Sequence, residues 1–166
     1  NGIHAHLRTY LLGRISASLA NYDDGRRFAD ELDRLGSPKG AGSVAHDLAQ
    51  SVRAHVLNRE GRFEEALYAL ESAPREVPFD KTQLGGSWAF LQPQERFLRA
   101  ELLARLGRHE DALWWYQSLP LDGPSHLRQA EILERLGRRQ QAIEQYKRFL
   151  ELWRDCDEEF RPLAEQ

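Results

Sequence analysis

The sequence predicts an all-α fold: an α-α superhelix, or solenoid, of about four helical hairpins closed by a short C-terminal capping helix. Three observations predict it. The phrase "LGRHEDALWWY" at 106–116 returns as "LGRRQQAIEQY" at 136–146. Aligned on the glycine, "HVLNREGRFEEALYALESAP" (55–74), "ELLARLGRHEDALWWYQSLP" (101–120) and "EILERLGRRQQAIEQYKRFL" (131–150) superimpose without a gap. Within each copy the apolar residues recur at helical spacing; Ala142, Ile143, Tyr146, Phe149, Leu150 and Trp153 make one stripe.

The shared frame is Ala54/Ala100/Ala130, Leu57/Leu103/Leu133, Gly61/Gly107/Gly137, Ala66/Ala112/Ala142 and Leu70/Tyr116/Tyr146. The first hairpin, about 4–35, with helices at 4–20 and 23–35, fits least well; Gly13, Ala20, Tyr22 and Leu32 take the corresponding places. "GSPKGAGS" at 36–43 reads as a flexible connection. The second hairpin, about 43–73, has helices at 43–60 and 63–73. Gly61 follows the first of these, where a left-handed cap costs a residue without a Cβ little. Ala66 lets the two helices approach closely, and Pro74 closes the second because proline cannot continue the hydrogen-bond ladder.

Residues 74–93, "PREVPFDKTQLGGSWAFLQP", read as a loop insert. A loop that long is usually functional or disordered, and Val77, Phe79, Leu84, Trp88, Phe90 and Leu91 make it too apolar for disorder, so it is expected to pack onto the array. The third hairpin, about 94–119, has helices at 94–106 and 109–119, and the fourth, about 125–154, at 125–136 and 139–154. A ninth helix at 158–165 is the cap, with Asp157 as N-cap and Glu158 and Glu159 in its first turn.

Bulk properties bound the function. A chain of 166 residues, 41% hydrophobic and 30% charged, reads as one globular domain. No run approaches the roughly 20 apolar residues of a membrane span, so no membrane partner is expected. A net charge of -3 gives no electrostatic reason to expect nucleic acid. The lone Cys156 excludes an internal disulfide and fits a reducing, cytoplasmic compartment. The absence of Met and an opening already in helix suggest a piece of a longer protein.

No residue is assigned a catalytic role. Cys156 sits in the acidic "RDCDEEF", which raises a thiol pKa, and no Gly-x-Ser-x-Gly, phosphate-binding glycine loop or His-Glu-x-x-His occurs. No metal or cofactor is expected either. His4 and His6 are two apart and point to different faces of a helix, and the acidic run after Arg154 lacks the central glycine of a calcium loop. Paired carboxylates at Glu64/Glu65 and Glu110/Asp111 recur in the first turn of second helices, a structural placement that complements the helix dipole.

This frame resembles the tetratricopeptide repeat (TPR) family, most closely over 95–153. It departs in the uneven spacing of the turn residues Ala20, Gly61, Gly107 and Gly137, against a family period of roughly 34 residues. It also lacks the family's aromatic early in the first helix, where Gln50, Arg96 and His126 stand. The resemblance implies four TPR-like hairpins and a concave groove lined by first-helix positions. Carried onto this chain, these are Tyr10 and Arg14 on the first helix, and Ser51, His55, Asn58 and Arg59 on the third. Phe97, Glu101 and Arg105 follow on the fifth, and Leu127, Glu131, Glu134 and Arg135 on the seventh. Arg59, Arg105 and Arg135 share one repeat position and could form a stripe for carboxylates of a bound segment. The alternative is that each caps its own helix or pairs nearby, as Glu131 with Arg135 at i, i+4. The family's Lys/Asn grip on a C-terminal carboxylate is not present.

Trp114 lies opposite Ala112 on its helix, where the other copies have Tyr68 and Glu144. Two roles stand open: a residue covered by the 74–93 insert, or an exposed anchor for a partner. A narrower likeness, strongest in "FLELWRDCDEEFRPL", is to C-terminal repeat regions of large bacterial signalling proteins of serine/threonine kinase or transcriptional-activator type. The expected function is therefore a non-enzymatic interaction or regulatory module, partnered by a protein, a peptide or other domains of a parent chain. The alternative is a stand-alone scaffold that assembles a complex or self-associates.

Overall fold

A computed structural model describes residues 2–36, 44–72, 87–119 and 123–154. Among them are eight helices and no strand: α1 (Gly2–Ser18), α2 (Tyr22–Leu35), α3 (Val44–Arg59), α4 (Phe63–Ser72), α5 (Ser87–Arg105), α6 (His109–Gln117), α7 (Gly123–Arg135) and α8 (Arg139–Leu152). They pair as four antiparallel hairpins, and each hairpin packs on the next through α2 with α3, α4 with α5 and α6 with α7. This is the α-α solenoid that the repeats predict. The proposed cap at 158–165 and the closing prolines Pro74 and Pro120 lie outside the described residues, as does Cys156.

One turn chemistry ends every first helix. Gly61, Gly107 and Gly137 have φ of +79°, +75° and +72°, and the opening copy puts Ala20 at φ +59° in the same place. The backbone N–H of the next residue then reaches back across the last turn: Arg62 to the Leu57 carbonyl at 2.9 Å, Arg108 to Leu103 at 2.9 Å, Arg138 to Leu133 at 2.8 Å and Asn21 to Ser16 at 2.9 Å. The arginine that follows each of these glycines also has a side-chain task. Arg108 pairs with Asp111 at 2.8 Å and Arg62 with Glu65, each three residues on. The last copy has Gln141 at that place, and Arg138 reaches instead to Glu110 of the preceding hairpin at 3.0 Å.

The small frame residues sit where helices approach. Ala54, Ala66, Ala100, Ala112, Ala130 and Ala142 are all buried. The opening copy places Gly13 and Gly25 in those registers. A Cβ added at Gly13 would lie 2.8 Å from Val52 Cγ1, and one at Gly25 would lie 2.7 Å from Val56 Cγ2, so α1 and α2 approach α3 more closely than an alanine would allow. Two clusters make the core. The first holds Tyr10, Ala29, Leu32, Leu48, Ala49 and Val52; the second runs from Ala54 through Leu98, Leu102, Leu103 and Tyr116 to Ile132 and Leu133. Each fully buried leucine contributes about 2 kcal/mol of transfer free energy, so the array is held mainly by contacts between neighbouring helices.

The insert differs from expectation. The region read as loop through 93 is helical from Ser87, and α5 is two turns longer than the expected 94–106. Pro93 lies inside α5. It removes one N–H that would have bonded four residues back, yet helix continues on both sides of it. Residues 73–86 lie outside the described residues. No helix of the described residues is long and apolar enough to cross a membrane.

Candidate functional site

The inner faces of α1, α3 and α5 line a cleft of about 590 Å3 to which Leu119 and Pro124 also contribute. Seven of the groove positions carried over from the repeat frame line it: Arg14, His55, Asn58, Arg59, Phe97, Glu101 and Arg105. They converge because α1, α3 and α5 are successive first helices, so matching register positions on them face the same space. Ala17, Ser18, Pro93, Gln94 and Leu98 complete the lining.

The remaining candidates are placed elsewhere. Tyr10 does not face the groove; it is fully buried beneath it, because the aromatic ring fills the core where the other copies carry Ser51, Phe97 or Leu127. Its hydroxyl accepts from Arg14 Nη1 at 2.6 Å and donates to Glu95 Oε1 at 3.2 Å. Ser51, also buried, donates to Glu95 as well. Burial, then the Glu95 charge, pushes the Tyr10 phenol up to about 12. Burial likewise raises the Glu95 carboxyl above its ordinary value, opposed by its bonds from Ser51 and Tyr10 and by the Arg14 charge.

The α7 candidates Leu127, Glu131, Glu134 and Arg135 do not line the cleft. Glu131 pairs with Arg128 at 2.9 Å, three residues away, not with Arg135. Glu134 accepts from Tyr146 Oη at 2.9 Å. Arg135 is exposed, away from the cleft. Of the three arginines that could have formed a stripe, Arg59 and Arg105 line the cleft and Arg135 does not; Arg14 joins them there. Trp114 is 63% exposed on α6, edge-on to Trp115 at 4.9 Å, and does not line the cleft. Trp115 is tied into the array by Arg99, whose guanidinium sits 4.7 Å from its ring and donates to the Leu70 carbonyl at the end of α4 at 2.9 Å.

Electrostatically the cleft is cationic and short of free acceptors. Glu101 is its one lining carboxylate, and it already accepts from Tyr116 Oη at 2.7 Å and pairs with Arg128 at 3.0 Å. Arg105 comes no closer than 3.8 Å to Glu101 and lies over the Phe63 ring at 5.1 Å. Arg59 makes no ion pair with any described residue. Two polar atoms of the wall, His55 Nε2 and Asn58 Oδ1, are buried with no hydrogen-bond partner. Burial first, and then the charges of Arg14 and Arg59, pull the His55 imidazole down to about 3, so it is neutral at physiological pH.

Pro93 escaped the sequence reading because it ends the stretch taken as an insert, whereas Gln94 and Glu95 open the expected helix 94–106 but stand at none of the groove positions carried over from the repeat frame. Among the described residues no three His, Cys, Asp or Glu side chains converge as a metal site; His4 and the acidic residues 155–159 fall outside the described side chains.

These features define a fold of stacked, TPR-like helical hairpins. No protein-family model and no curated protein matches the chain. Among solved structures, it is similar to one described as "MamA RS-1 ArsTM double mutant", with a TM-score of 0.64 and 19% identity over 92% of this chain and 78% of that one. MamA is itself a TPR-like helical repeat protein. Two further MamA structures, "MamA AMB-1 P212121" and "MamA AMB-1 C2221", align over 96% and 89% of this chain at 17% and 18% identity. Their TM-scores, 0.37 and 0.36, carry no weight for the fold.

Proposed function

We propose that this chain is a non-enzymatic protein-interaction module that receives an extended segment of a partner in the cleft between α1, α3 and α5. The observation that carries the reading is the cleft itself: three arginines and two buried, unpartnered polar atoms on an open concave wall. Buried polar groups are normally hydrogen-bonded, so atoms left open at a concave surface favour a bound ligand there. A chain of stacked hairpins offers such a surface without any catalytic constellation. The partner is a separate protein or another domain of a longer bacterial signalling or transcription-regulatory protein in the cytoplasm, a placement supported by the sequence likeness around "FLELWRDCDEEFRPL".

Selecting peptides from a displayed random library on the wild-type chain tests the reading. Peptides so enriched should lose affinity for Arg59→Ala combined with Arg105→Ala while helicity stays unchanged. Equal binding to both proteins removes the cleft from the account.

A second reading, a scaffold that self-associates, is favoured by the outer face of α1. Leu11 and Ile15 stand at the register of Val52 and Val56 on α3 and of Leu98 and Leu102 on α5, which bury against the preceding hairpin. On α1 the same positions are 46% and 53% exposed. Light scattering decides: a monomer at roughly 100 μM, an order-of-magnitude working concentration for weak association, ends this reading.

A further inference from the structure

The cleft contains more donors than its own acceptors use. Arg14 spends one N–H on the Tyr10 hydroxyl, Arg59 spends none on a described carboxylate, and Arg105 stands 3.8 Å from Glu101, within ion-pair range but beyond hydrogen-bonding distance. Both local carboxylates are already occupied, Glu101 by Tyr116 and Arg128, and Glu95 by Tyr10 and Ser51. The unpartnered atoms complete the pattern. Neutral His55 can carry its proton on Nε2, and the Asn58 amide can turn its NH2 to where Oδ1 now lies, so both can donate to one anion. Arg14, His55, Asn58 and Arg59 line the same cleft, which places two guanidiniums and two neutral donors along one wall.

We infer that this locus binds a phosphoryl group, and that the segment received by the cleft carries a phosphorylated hydroxyl side chain. The inference rests on the proposal that the cleft takes a protein segment. A carboxylate has two oxygens and one charge. A phosphate monoester offers three terminal oxygens and a charge between about -1.5 and -2 near neutral pH, which matches more than two converging donors and a lining of three guanidiniums against one carboxylate. Planar guanidinium forks also fit phosphate oxygens in pairs. The apolar side of the cleft, Phe97, Leu98 and Leu119, gives the flanking residues of the segment a surface to bury. The cationic character is local, because the whole chain carries a net charge of -3.

Three peptide pools, degenerate at the flanks and fixed at the centre as phosphoserine, serine or glutamate, provide the test by fluorescence anisotropy, with inorganic phosphate as competitor. The phosphoserine pool should bind at least about tenfold more tightly than the serine pool, with glutamate between them. Millimolar inorganic phosphate should compete. Arg59→Gln should weaken the phosphoserine pool about tenfold or more without changing thermal unfolding, and Arg148→Gln, on exposed α8, should not. Equal binding of all three pools, unaffected by Arg59→Gln, overturns the phosphoryl assignment and leaves segment binding standing. Glutamate equal to phosphoserine makes the locus a carboxylate site and likewise overturns it. Binding of inorganic phosphate with no peptide pool bound overturns the peptide source, and no binding at all overturns both this inference and the proposed function.

Discussion

The turn that closes each first helix predicts a gain in stability from one substitution. Ala20 stands at φ +59° where the other three copies have glycine, and it is exposed, so its side chain contributes little packing. An L-residue in the left-handed region costs about 1–2 kcal/mol relative to its preferred conformations. Replacing it with glycine removes that strain but adds about 0.5–1 kcal/mol of unfolded-state entropy. The net for Ala20→Gly is stabilisation of about 0.5–1 kcal/mol, a rise in Tm of roughly 1–4 °C for a domain of this size. The mirror substitution isolates the same effect. A Cβ added at Gly107 meets nothing within 4 Å, so Gly107→Ala has no steric cost and should lose a similar amount through backbone conformation alone. Urea unfolding followed by circular dichroism measures both. If Ala20→Gly is neutral or destabilising while Gly107→Ala is harmless, the account of these turns is wrong.

His55 and Arg99 give two further expectations. Because the His55 pKa of about 3 lies below the ~6.5 of an unfolded chain, the unfolded state binds more protons between those values, and stability falls as pH drops through that window. At about pH 4.5 the loss reaches up to about 2–3 kcal/mol, and His55→Gln should remove that part of the slope; parallel pH profiles of urea midpoints for the two proteins would contradict it. Arg99→Leu removes both the guanidinium over Trp115 and the cap on the Leu70 carbonyl, and should cost about 2 kcal/mol. A loss below about 0.5 kcal/mol would show that neither contact matters to the fold.

What was legible in the sequence follows from which constraints are local. Gly61, Gly107 and Gly137 mark turns because a positive φ is a demand on one residue, and the alanines mark helix crossings because a small side chain is a demand on one position. Phase alone then located Ala20, although nothing in its identity announces a turn. The start of α5 was hidden because Pro93 reads as a breaker, whereas its cost is one lost N–H that tertiary packing can absorb. Register brought Arg14, His55, Arg59 and Arg105 to one wall, but it could not tell that Tyr10, at the register of the cleft-lining Phe97, would sink into the core. Nor could it foresee that Glu131 would choose a partner three residues back over one four residues on. Those outcomes depend on side-chain volume and on competing partners, which spacing does not encode.

The division of the core into two clusters bears on what a bound segment would do. Tyr10 and Arg14 belong to the hairpin packed on the first cluster, Phe97 and Glu101 to the helix packed on the second, and the cleft opens over the seam between them. Apart from α3, the polar link of Tyr10 to Glu95 is one of few ties across that seam. A ligand gripping both banks would act as a splint. Amides of α1 and α2, free to exchange by opening of the N-terminal hairpin alone, would then exchange only when the whole array opens. Occupancy would be transmitted along the repeats as a change in cooperativity, with no helix needing to move.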